Sequence, residues 1–139
     1  MNLDWLEAFA DPYLKTPVGQ GVFLSGIVLG IITKYQVSKG ESIDSAPMFK
    51  QLMFGKMQRR DLLRHLSRVP ELIRAYDIPY KNYVRQLSGK AGELLLESSS
   101  EMGVDGNFAF SVAYLNAYEY FWKIFGKQDN ENQEIERSE

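Results

Sequence analysis

The chain has 139 residues, 45% of them apolar, with 16 basic and 18 acidic side chains and a single histidine. A chain of this length is expected to fold as one domain with a real core, since domains near 150 residues hide about two thirds of their unfolded surface. Cysteine is absent, which excludes a disulfide framework, a thiolate nucleophile and Cys-ligated zinc or iron–sulfur sites. Nothing calls for an oxidising compartment, and a cytoplasmic address is expected.

Apolar residues recur three and four positions apart and no stretch alternates, so the pattern predicts an all-α protein. The expected architecture is a compact bundle of about five to six helices over 1–126, followed by a disordered acidic C-terminal tail over 127–139. Asp4 and Glu7 stand where a signal peptide would need positive charge, so secretion is not expected. A short first helix over 3–14 places Leu3, Leu6, Phe9 and Ala10 on one side and Asp4, Glu7 and Asp11 on the other. Thr16 is placed to cap a second helix with Pro17 at its first position, running to about residue 39. Its apolar stretch over 21–32 falls short of the roughly 20 residues that a bilayer span requires and reads as a buried helix.

Residues 40–47 form a polar loop, and 48–54 a helical turn or two before Gly55. From Gln58, the series Leu62, Leu63, Leu66 and Val69 marks an amphipathic helix with Arg60, Arg64 and Arg68 on its other face. Ser67 is expected to cap a new segment that holds Pro70 in its first turn and carries Leu72, Ile73 and Tyr76. After Asp77-Ile78-Pro79, a helix over about 80–100 turns Tyr83, Leu87, Ala91, Leu94 and Leu95 inward and Lys81 and Arg85 outward. Gly103 is expected to end it in the left-handed conformation, and Asp105 or Asn107 to cap the next. The last helix, about 106–125, is apolar nearly all round, which predicts a central position. Gly126 stops it.

Few features carry chemistry. Gly26 and Gly30 are four apart, with Gly21 a little over one turn earlier, and Ala109, Ala113 and Ala117 repeat the same spacing in the last helix. In a chain with no membrane span this predicts two closely crossing helices rather than a membrane dimer motif. His65 has Asp61 four residues before it, but no serine, cysteine or second histidine completes a nucleophile or a metal set. Glu93, Glu97 and Glu101 are also four apart; di-iron bundles add Glu-x-x-His from facing helices, which does not occur here, so a solvated acidic face is the better account. No phosphate-binding glycine loop is present. The chain is expected not to be an enzyme, with no catalytic residue, metal site or cofactor.

The charge distribution is uneven. Residues 1–33 carry a net −2, residues 34–90 hold twelve basic and five acidic groups for a net +7, and residues 91–139 carry a net −7. The basic groups are Lys50, Lys56, Arg59, Arg60, Arg64, Arg68, Arg74, Lys81, Arg85 and Lys90, together with Lys34 and Lys39. Clustered cations neutralise phosphates and release counterions, a sequence-independent source of affinity. On charge alone, a nucleic-acid face and an ordinary solvated helix face stay open. Seven basic groups from Lys50 to Arg74, against Asp61 and Glu71, favour nucleic acid.

One order of features resembles a known family. It runs from Gly21-Val22-Phe23-Leu24-Ser25-Gly26 through Gly30 to Lys34-Tyr35-Gln36, then Pro47-Met48-Phe49-Lys50. Next come Gln58-Arg59-Arg60-Asp61-Leu62-Leu63 leading to Pro70, and Phe108-Ala109-Phe110-Ser111-Val112-Ala113-Tyr114. Over about 19–126 the chain resembles the small subunit of type I CRISPR Cascade complexes, in particular the type I-B form that matches the C-terminal part of the large subunit. The resemblance implies a non-catalytic helical bundle lying along a crRNA-guided surveillance complex in several copies, against the large and backbone subunits and away from any membrane. It implies that the basic face holds the displaced single-stranded DNA and so stabilises the R-loop. Carried onto this chain, the nucleic-acid-binding residues are Arg59, Arg60, Arg64 and Arg68, with Lys56, Lys81 and Arg85 as a second set. The acidic pI of about 5.5 points to weak binding by the lone chain, strengthened by assembly. Two other readings stand beside it: a helix-turn-helix regulator reading duplex DNA through 68–88, and a helical protein–protein adaptor without nucleic acid, suggested by the aromatic last helix.

Overall fold

Thr16 starts the longest helix as its sequence position predicts: in the computed structural model, which describes residues 1–126, its hydroxyl accepts a hydrogen bond from the Gly19 N–H at 3.0 Å. The acidic tail expected over 127–139 lies outside the described residues. Helix α1 runs Pro17–Gln36, with proline at the position where a missing N–H costs nothing. It stops short of 39 because Val37 turns extended and the Gln36 side chain accepts from the Met48 N–H at 2.8 Å. By length and composition α1 is apolar enough to cross a membrane, but 83% of its apolar window is buried beneath the other helices. It is the axis of the core.

The remaining helices are α2 (Pro47–Gln51), α3 (Arg59–Ser67), α4 (Val69–Ala75), α5 (Lys81–Leu96), α6 (Gly103–Leu115) and α7 (Ala117–Phe125), with no strand among the described residues. The all-α expectation holds. Helices α5 and α6 flank α1, and α7, α2 and α3 complete the shell around it. The glycine–alanine crossing is as predicted. A Cβ on Gly26 would lie 2.8 Å from the Ala113 Cβ, and one on Gly30 would overlap the Ala117 Cβ and approach the Tyr114 carbonyl oxygen at 2.7 Å. Gly21 does the same toward α5, where a Cβ would sit 3.0 Å from Leu95.

Several boundaries differ from the sequence reading, each for a local reason. The single first helix is two short 3-10 turns, Asp4–Ala8 and Pro12–Lys15, because Pro12 interrupts the chain and Asp11 accepts from the Tyr13 N–H at 2.9 Å to start the second. Ser67 ends α3 instead of capping α4; its hydroxyl donates to the Arg64 carbonyl at 2.6 Å, and Arg68 is the joint. Helix α5 ends at Leu96 rather than near 100. Gly103 does adopt a positive φ of 60°, but at the start of α6 rather than the end of α5. Asn107 is no cap: it is buried, accepting from the Met57 N–H at 2.8 Å and donating to the Met57 and Gly103 carbonyls at 3.1 and 2.9 Å. The expected last helix breaks at Asn116, whose side chain donates to the Val112 carbonyl at 2.8 Å and competes with the helix ladder.

Candidate nucleic-acid interface

Helix α3 begins with a capping box: the Gln58 N–H donates to the Asp61 carboxylate at 2.8 Å. That start sets the phase of the helix. Leu62, His65 and Leu66 then face the core, while Arg60 and Arg64 face solvent. The Arg64 side chain is 67% exposed and pairs with Asp61 at 3.2 Å, one helical turn earlier. Arg68, half-buried at the α3–α4 joint, donates to the Gln51 side-chain oxygen at 3.1 Å. Arg60, Arg64 and Arg68 thus span about 12 Å of helix axis.

Arg59 leaves this row. Its guanidinium donates to the carbonyls of Leu95 at 2.9 Å and Ser98 at 2.5 Å and so closes the C-terminal end of α5. Lys56 is exposed but belongs elsewhere: it lines a groove with Glu101, Gly103 and Val104 at the start of α6. On α5, Lys81 and Arg85 are exposed one turn apart, and α5 packs against both α3 and α4. Arg85 shares a groove with Ser67, Val69 and Pro70, the neighbours of Arg68. The structure therefore sets Arg68 and Arg85 about the α3–α4 corner, lays Arg60 and Arg64 along the exposed side of α3 leading to it, keeps Lys81 at the start of the same helix as Arg85, and sets Arg59 and Lys56 apart.

His65 is buried, and burial first, then the Arg64 and Arg68 cations, lower its pKa below the usual imidazole value, with Asp61 pulling the other way. Such a histidine is neutral at pH 7. Glu93 pairs with Lys90 at 3.5 Å, Glu97 and Glu101 are exposed, and among the described residues no three His, Cys, Asp or Glu gather as metal ligands.

One surface feature departs from the central position expected of the last helix. Helix α6 is not covered all round: Val104, Phe108 and Leu115 are 87%, 61% and 64% exposed. They lie on the side away from Ala109 and Ala113, which seat against α1. The signal was present in the sequence as small residues on one face and large ones on the other. Lys34, counted among the basic groups but not among the candidate binding residues, places its ammonium 4.6 Å from the centroid of the exposed Tyr118 ring.

Over residues 2–128 the chain matches the family described as the CRISPR-associated protein TM1802 C-terminal domain. No curated protein and no solved structure matches it. The family match takes in every described helix, from α1 to α7. The chain therefore belongs to the family of the CRISPR-associated protein TM1802 C-terminal domain.

Proposed function

We propose that this CRISPR-associated chain is a non-catalytic subunit of a crRNA-guided surveillance complex of the Cascade kind. In this reading it holds the displaced DNA strand on the cations of α3 and α5 and works in the cytoplasm beside the large and backbone subunits. The observation that carries the reading is the exposed row of Arg60 and Arg64 leading to Arg68, with Arg85 across the corner. Guanidinium groups spaced one turn apart on a rigid helix suit successive phosphates and read no base. In RNA-guided recognition the guide supplies sequence specificity, so a protein surface that binds backbone charge alone is what a displaced strand requires. The family's description as a C-terminal domain agrees with the sequence likeness to the C-terminal part of the Cascade large subunit.

The adaptor reading has its own support in the exposed Val104, Phe108 and Leu115 face, an apolar surface suited to a protein neighbour. The two are separated by fluorescence-anisotropy titration of single- and double-stranded DNA across a salt series, with wild type and an R60A/R64A/R68A variant. Strand holding predicts sequence-indifferent, salt-sensitive binding whose log–log slope is about 2 smaller in the variant. Equal binding by the variant, or none by wild type at low salt, supports the adaptor. Sequence-specific duplex binding as a dimer supports a helix-turn-helix regulator.

A further inference from the structure

The groove between the α3–α4 corner and α5 has a volume of about 320 Å³ and is lined by Ser67, Val69, Pro70, Arg85, Ser88 and Gly89, with Leu66 beneath. Gly89 has no structural reason to be glycine. It sits inside α5, and a Cβ there would meet nothing within 4 Å, in contrast to the glycines that α1 presses against its neighbours. Glycine is a poor helix former, so the position works against α5. What it provides is shape: the groove floor stays at backbone level directly beside a guanidinium. Gly92, nearly one turn on, is equally open.

Charge points to the occupant. Arg85 is exposed and makes no ion pair among the described residues, and Arg68 stands at the corner between the groove-lining Ser67 and Val69. The volume is at the low end for small-ligand sites. It admits a nucleotide of an unpaired strand, whereas a duplex keeps its bases inside and bridges over the opening. We infer that this groove seats one nucleotide of single-stranded DNA, with its phosphate on Arg85 and its unpaired base and sugar against Val69, Pro70 and the bare backbone at Gly89. No aromatic ring lines the groove, so it holds the strand without stacking and without base preference. The inference rests on the strand-holding reading and gives that strand a path, from the α3 arginines over the corner into α5.

The test uses the purified full chain with fluorescein-labelled oligo-dT of about 20 nucleotides and a duplex of equal length, near the size of a guide-paired target. Gly89→Leu fills the groove without changing charge. It is expected to weaken oligo-dT binding about tenfold while leaving duplex binding and the thermal midpoint no lower than wild type. Arg85→Gln is expected to flatten the salt slope for oligo-dT by about 0.7, one phosphate contact. Gly89→Ala, a smaller plug, is expected to give an intermediate loss and serves if the leucine variant misfolds. Wild-type oligo-dT affinity in both Gly89 variants, or equal losses for single strand and duplex, overturns the groove assignment. In that case an R60A/R64A/R68A variant that still loses binding leaves the strand-holding reading standing. Failure of wild type to bind oligo-dT at low salt overturns both.

Discussion

Arg59 and Arg60 are adjacent in sequence and opposite in fate. The Arg59 guanidinium closes the end of α5, where unpaired carbonyls concentrate negative charge; its Nε is buried without an acceptor among the described residues, a cost the two carbonyl bonds offset. Arg59→Ala is expected to lower the unfolding free energy in urea by about 1.5–3 kcal/mol, against about 0.5 kcal/mol or less for Arg60→Ala. Equal effects would mean that the α5 end needs no cap. At the core, Thr33 spends its one proton on the Leu29 carbonyl at 2.9 Å, so the 2.6 Å bond with Tyr114 is donated by the tyrosine. Burial raises the Tyr114 pKa. His65 titrates in the reverse sense: its folded pKa lies below the ordinary 6.5, so on acidification the unfolded chain takes the proton first. The stability this histidine contributes is whole above about pH 6.5 and declines as pH falls below it. Urea unfolding at pH 7 and pH 5 is expected to show a larger loss for wild type than for His65→Gln; identical losses would mean that burial does not protect the imidazole.

Among the helices, glycine separates by what it faces. Gly30 is held within overlap distance of Ala117 and the Tyr114 backbone, so the ordinary gain from replacing a helical glycine is reversed there. Gly30→Leu is expected to cost on the order of 1–3 kcal/mol by overpacking, whereas Gly89→Ala, in open space, is expected to gain about 0.5–1 kcal/mol. A denaturant midpoint for Gly30→Leu that rises along with that of Gly89→Ala would refute the close crossing of α1 with α6 and α7. The break at Asn116 belongs to the same geometry: Ala113 precedes it and Ala117 follows it, and both halves keep a small residue against α1. Because α1 covers only that side, the large residues of α6 opposite it stay in solvent.

Over the whole chain, residues 34–90 are net basic and the stretches on either side net acidic, so the proposed strand holding draws on the middle of the chain alone. With Arg60, Arg64, Arg68 and Arg85 on phosphates, affinity for a single strand is expected to fall about fiftyfold between about 50 and 200 mM salt, and only about threefold once the three α3 arginines are alanine. A salt response that the substitutions do not alter would place the affinity elsewhere on the chain.

The amino-acid order alone was enough for the helical class, the capped start of α1, the glycine–alanine crossing and the amphipathic phase of α3, because each depends on residues within a turn or two or on a repeated spacing. Family likeness carried the CRISPR association. Which cations stand together was a matter for the tertiary structure. Arg59 and Arg60 are indistinguishable by charge and spacing, and only the arrival of the α5 end, 36 residues on, takes one of them inward. The break at Asn116, the inward turn of Asn107 toward Met57 and the open groove at Gly89 were decided the same way. They depend on what another helix brings to the site, and local periodicity holds no record of that.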